Sequence, residues 1–181
     1  MISKWETIES KKVADLFIFD AYIKKRKNPN SGEFGNFTVL ESPNWVNIIP
    51  ITKDNEIILI EQYRQGTDSV TIEIPGGLIE IGEDPMVAGA RECTEETGYK
   101  SIEPPILTGV SYPNPAYQSN KCFSYAWFNC ELELEQNLDR HEIIKIHKRT
   151  KEEVKNMILD GTINHSVILT AFYFFSLKFG F

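Results

Sequence analysis

The chain is poor in the residues that build covalent or metal-stapled frameworks. It has three cysteines, Cys93, Cys122 and Cys130, in 181 residues. An odd number without ligand spacing excludes a disulfide scaffold and a zinc motif. The histidines, His141, His147 and His165, form no metal motif either. Long apolar runs are missing. Val167 to Phe175 is too short to span a bilayer and contains Thr170. The opening MISKWETIESKK is polar and carries no secretory signal. Together these absences point to a reduced, cytoplasmic protein without a membrane segment. Excess positive charge is also missing. The net charge of −7 argues against a broad nucleic-acid footprint and against acidic membrane surfaces. Repeats, low-complexity tracts and a clear interdomain linker are absent. The apolar fraction of 41% supports the core of one domain.

The acidity is partly local. The stretch Gly76–Tyr99 reads GGLIEIGEDPMVAGARECTEETGY. Its glycines and the Pro85 start predict a loop running into a helix that Gly98 ends. Glu92, Glu95 and Glu96 then share one helical face, with Ala88 and Gly89 beside them. Met86, Val87, Ala90 and Cys93 are expected on the buried side. Like charges at this spacing repel, and anions near a helix C-terminus oppose its dipole. A divalent cation held by carboxylate oxygens would compensate. Three glutamates alone are more often the mark of a solvated acidic face.

The flanking sequence is mostly strand-like. VADLFIFDAYI predicts a strand or hairpin, followed by a turn-rich, basic tip, KKRKNPNSGEFGNF. WVNIIPIT and EIILIEQYR predict two central strands joined by a turn at Lys53-Asp54-Asn55. ILTGVS and KCFSYAWFNCELE predict two more, the latter paired with HEIIKIHKR. ELEQNLDR between them reads as acidic and mobile. Thr150 to Asp160 is predicted helical, with Thr150 and Glu153 as a capping box and Gly161 as its stop. A last helix is expected from Asn164 to Lys178, apolar around most of its circumference and therefore buried in the core or at an interface.

Gly77, Glu83, Arg91, Glu92, Glu95, Glu96 and Gly98 match every fixed position of the Nudix box. Cys93 and Tyr99 are mild departures at its two apolar positions. The chain thus resembles the Nudix hydrolases, which cleave a nucleoside diphosphate linked to another group. The resemblance implies an α/β class fold: an α/β/α sandwich with a mixed central sheet over residues 41–181. It implies that residues 1–40 are a small β extension that helps form a homodimer. It implies Mg²⁺, or Mn²⁺, held by Glu92, Glu95, Glu96 and the Gly76 carbonyl. Glu83 would pair with Arg91 and orient the ligand helix.

Further residues resemble the branch acting on ADP-ribose and nucleoside diphosphate sugars. These are the Gln62-Tyr63-Arg64 strand ending, the Glu73-x-Pro-Gly-Gly entry to the box, and Pro113, fifteen residues beyond Gly98. Ala116 and Asn120 depart from that branch's usual loop, where a glycine and an acid are common. The resemblance implies substrate contacts at Trp45, Arg64, Glu73, Leu78 and Pro113. Trp45 reads as well as a core residue. The general base lies outside the box in this branch, which implies Glu142, with Asp139 second, beside the catalytic glutamates Glu92, Glu95 and Glu96. A Nudix hydrolase of nucleoside triphosphates or dinucleotide polyphosphates carries the same box. A binding module that keeps the fold without catalysis is the third reading.

Overall fold

The computed structural model describes residues 2–181. The chain divides into two compact units, one formed by the residues up to Pro43 with Tyr112–Lys121, the other by Asn44–Ser111 with Cys122–Phe181.

The first unit is an antiparallel sheet of β1 (Glu6–Leu16), β2 (Phe19–Lys27) and β3 (Phe34–Glu41). Of the expected tip, residues 34–37 lie inside β3 and the basic residues 24–27 inside β2. The tip is the segment between them, where the Gly32 N–H donates to the Asn28 carbonyl at 2.9 Å and the Asn28 N–H to that of Glu33 at 2.8 Å. Two of these basic side chains have neighbours on the sheet. Lys24 pairs with Glu41, and Lys25 stands 5.0 Å above the Phe34 ring. The segment Tyr112–Lys121 joins this unit because the Leu40 N–H donates to the Tyr117 carbonyl at 2.7 Å.

The second unit contains β4 (Trp45–Thr52), β5 (Glu56–Arg64), β6 (Ser69–Glu73), β7 (Gly76–Leu78), β8 (Tyr99–Lys100), β9 (Ile106–Ser111), β10 (Cys122–Leu132) and β11 (Ile144–Thr150). Its helices are α1 (Pro85–Thr97), α2 (Lys151–Leu159) and α3 (Ser166–Phe179). The strands run β11-β5-β4-β10-β8, with β6 on β5, β7 on β4 and β9 on β10. Among the described strands only β4 and β10 run parallel, and Ile48 and Ile49 sit opposite Tyr125 and Ala126 in that pair. The sheet is therefore mixed. The expected pairing of β10 with β11 does not form. β11 pairs antiparallel with β5, Ile146 opposite Ile60, because both sides of β10 are taken by β4 and β9.

The pleat sends alternate residues to opposite faces. Val46 and Ile48 join Ala88, Cys93, Tyr125 and Trp127 under α1. Ile49 and Ile51 join Val154, Ile168, Phe172 and Phe175 under α2 and α3. Helices thus cover both faces, giving the α/β/α sandwich. The capping box of Thr150 and Glu153 opens α2 as predicted. In α3 the inner face is Ile168, Ala171, Phe172 and Phe175, while Tyr173 and Leu177 are exposed, so its apolar surface is only partly buried. Burial pushes the Cys122 and Cys130 thiols up to about 12 and that of Cys93 well above its ordinary value, so all three are inert. Among the described residues no helix is long and apolar enough to cross a membrane.

Candidate active site

The site is built where β7 meets α1. Asp84 caps the helix, accepting from the Met86 N–H at 2.8 Å, and Pro85 occupies the first turn. Gly98 ends it in the left-handed conformation, φ 72°. The buried face of α1 is wider than the expected one: Cys93 is buried, and Met86 and Ala90 pack partly buried against its cluster. Ala88, Gly89, Cys93 and Glu96 are buried, while Val87 is 53% exposed. The reason is close packing. A Cβ on Gly89 would lie 3.1 Å from Val46 Cγ2, so only small residues let the helix lie on β4. The glutamates share that face, which turns Glu96 inward to 4% exposure.

Gly76 and Gly77 form strand β7, not a loop, and pair with Asn47 and Val46. A Cβ on Gly76 would stand 2.3 Å from the Val46 carbonyl oxygen, which excludes every other residue. One on Gly77 would stand 2.6 Å from Glu92 Oε1. The Gly76 N–H donates to Glu96 Oε2 at 2.9 Å. In a strand the N–H and C=O of one residue point to the same edge. The Gly76 carbonyl therefore lies on the same edge as that N–H.

Arg91 organises the rest. Its Nε and Nη2 donate to the two Glu83 oxygens at 2.9 and 3.0 Å. Its Nη1 donates to Glu92 Oε1 at 2.9 Å and to Glu95 Oε2 at 3.0 Å, and its Nη2 to the Leu78 carbonyl at 3.2 Å. The guanidinium thus compensates the like charges that the sequence left unbalanced. Hydrogen bonding by Arg91 holds Glu83 below the usual carboxylate range. Burial raises Glu92, with Arg91 opposing it. Burial also pushes Glu96 well up, more than the Gly76 N–H can offset, and the charges of Glu92 and Glu142 add to the rise.

Among the described residues no three acidic, histidine or cysteine side chains stand together as a finished metal cage. Arg91 occupies the place between two of the carboxylates. The donor set nevertheless fits a hard divalent cation: three carboxylates and one backbone carbonyl, all oxygen, with no sulfur or imidazole. The buried Glu96 carboxylate also gains from a cation that would balance its charge.

Glu142 belongs to an exposed turn in which its N–H donates to the Asp139 carbonyl at 3.0 Å, while the Asp139 N–H donates to Glu142 Oε2 at 3.1 Å. Its charge reaches Glu92, Glu96 and Arg64. The polar stretch before it is tied down, contrary to expectation. The Asn137 N–H donates to the Glu95 carbonyl at 2.8 Å, and Gln136 Nε2 to the Glu96 carbonyl at 2.6 Å. The N–H groups of Glu133 and Leu134 donate to the Gly98 carbonyl. These bonds satisfy carbonyls that a helix end leaves without partners. Gln136 and Asn137 escaped the sequence reading because their stretch has no periodicity.

Arg64 and Glu73 meet each other. Arg64 Nε and Nη2 donate to Glu73 at 2.9 and 2.7 Å, Thr71 Oγ1 donates to it at 2.7 Å, and His165 Nδ1 lies 3.1 Å away. Burial works to raise the Glu73 carboxyl, but Arg64 and then His165 overcome it and hold it well below the usual range. Glu73 is 1% exposed and holds Arg64 from beneath. Trp45 is half-buried and opposite Leu78 in the register. Pro113 falls in the first unit.

Residues 42–172 match the NUDIX domain family. The chain belongs to the Nudix family. It is 30% identical to a methanol dehydrogenase activator of Bacillus methanolicus, over 97% of this chain and 91% of that protein. It is 26% identical to the ADP-ribose pyrophosphatase of Bacillus subtilis, over 96% and 90%. A crystal structure of an ADP compounds hydrolase shares the Nudix fold, with a TM-score of 0.84 and 22% identity over 96% of this chain and 93% of that one.

Proposed function

We propose that this Nudix protein hydrolyses the diphosphate bond of ADP-ribose or a related nucleoside diphosphate sugar, giving a nucleoside monophosphate and a sugar phosphate. The observation that carries the reading is the Glu96 carboxylate on the Gly76 N–H and Glu92 against Gly77, with Arg91 joining Glu92 to Glu95 on the same helix. Mg²⁺, with Mn²⁺ as a substitute, would neutralise the diphosphate charge and polarise the phosphorus when held there. Glu83 holds Arg91, and Arg91 holds Glu92 and Glu95 in place. Glu142 serves as the base that takes a proton from the attacking water, supported by its electrostatic reach to Glu92 and Glu96. Arg64, held by Glu73, offers its remaining N–H groups to a phosphate, and Trp45 a ring face to the nucleobase.

The full-length likeness to an ADP-ribose pyrophosphatase supports this substrate class. Three buried, unbridged thiols support a reducing cytoplasm. To residues 1–40 we assign a separate β extension, and to its exposed Val13, Leu16, Phe17 and Phe37 the contact of a homodimer. The deciding experiment incubates the protein with Mg²⁺ and, separately, ADP-ribose, ADP-glucose, GDP-mannose and ATP, and identifies the products. A monophosphate and a sugar phosphate from an ADP-sugar are expected. Preferential cleavage of ATP, or tight binding without turnover, would replace this reading by one of its rivals.

A further inference from the structure

One side chain closes the base of the loop that carries Glu142. Gln136 Nε2 donates to the Glu96 carbonyl at 2.6 Å and to the Ile144 carbonyl at 3.3 Å. Glu96 lies in the last turn of α1, and Ile144 is the first residue of β11. A single amide nitrogen therefore ties the helix end bearing the glutamates to the strand that follows Glu142. Beside it, the Asn137 N–H is held by the Glu95 carbonyl. Residues 137–143 thus leave and return to one anchored point.

We propose that Gln136 is a positioning residue for the hydrolysis, fixing Glu142 relative to the carboxylates of α1. The proposal rests on the function given above, with Glu142 as the base. An exposed glutamate on an unanchored loop would spread over many positions, and a displacement of about 1 Å costs on the order of 100-fold in rate. The chemistry of the anchor suits glutamine. Two carbonyls need a donor, and the negative end of a helix dipole favours one. Glutamate at this position would have no N–H to give and would add a negative charge. Arginine or lysine would donate but would bring a cation that competes for the neighbouring carboxylates.

A residue that merely capped α1 would lower stability without singling out the Glu142 step. The test separates these roles. Gln136→Ala, Gln136→Glu, Glu142→Gln and the double variant Gln136→Ala/Glu142→Gln are assayed on ADP-ribose with Mg²⁺, and hydrogen–deuterium exchange is followed in the same proteins. Both Gln136 variants are expected to lose about 10- to 100-fold in kcat with KM within about twofold. In the Glu142→Gln background Gln136→Ala should cost almost nothing more, because the two act as one unit. Exchange over 137–143 should quicken while the first two turns of α1 stay unchanged. A full additional loss in the double variant, a raised KM at unchanged kcat, or unaltered exchange in the loop would each overturn the proposal. An inert wild-type protein would instead overturn the function itself, and the exchange data would still decide whether Gln136 holds the loop.

Discussion

Glu96 is a buried carboxylate whose partner in the chain is a single backbone N–H. Its folded-state value is raised above the ordinary 4.5, so protonation favours the folded form. That contribution is complete below 4.5 and is lost as pH rises through the raised value. In chelator, Glu96→Gln should therefore raise Tm, and by more at pH 8 than at pH 5, while abolishing most turnover. Calorimetry at the two pH values checks this; an equal or smaller gain at pH 8 would contradict the burial argument. Glu73 has the opposite sign. Its value is lowered by Arg64, so its contribution is present above 4.5 and is lost as pH falls. Arg64→Ala leaves that buried charge without its fork. The expected cost is about 3 kcal/mol, the lower end for a broken buried pair because Arg64 is itself 40% exposed. Urea denaturation measures it, and a loss below about 1 kcal/mol would mean that Thr71 and His165 suffice. The box residues were legible in the sequence by spacing. That Arg64 and Glu73 face each other was not, since it depends on the register of β5 with β6.

At the scale of elements, α1 and its neighbours show where local signals stop. Its start, its stop and the glutamate face follow from Pro85, Gly98 and a 3.6-residue period, all visible in the sequence. Which other residues share the buried side does not, because β4 decides how closely the helix approaches. Gly98 joins both levels. Its φ of 72° favours glycine, and a Cβ there would stand 2.0 Å from the Leu134 carbonyl oxygen. Gly98→Ala should cost about 2 kcal/mol or more, from the left-handed backbone and the displaced segment together. It should also lower kcat, since Leu134 leads into the loop of Gln136 and Glu142. Thermal melts and steady-state rates test this together; a variant with wild-type Tm and kcat would show that the segment shifts without consequence.

At the scale of the whole molecule, the second unit's two apolar clusters lie on opposite faces of one sheet and include none of the site carboxylates. Metal removal should therefore leave a cooperative unfolding transition, unlike a structural zinc site. A melt in chelator checks it, and loss of the sigmoidal transition would show that the cation is structural. The sequence by itself determined the box, the helix boundaries, the capping of α2 and the class of chemistry, because these rest on spacing and residue type within a few turns of chain. The tertiary structure decided the partner of β11, the anchoring of the Glu142 loop on α1 and the inward turn of Glu96. Each of those depends on which edges and carbonyls remain unpaired once distant strands have met, and no local pattern records that.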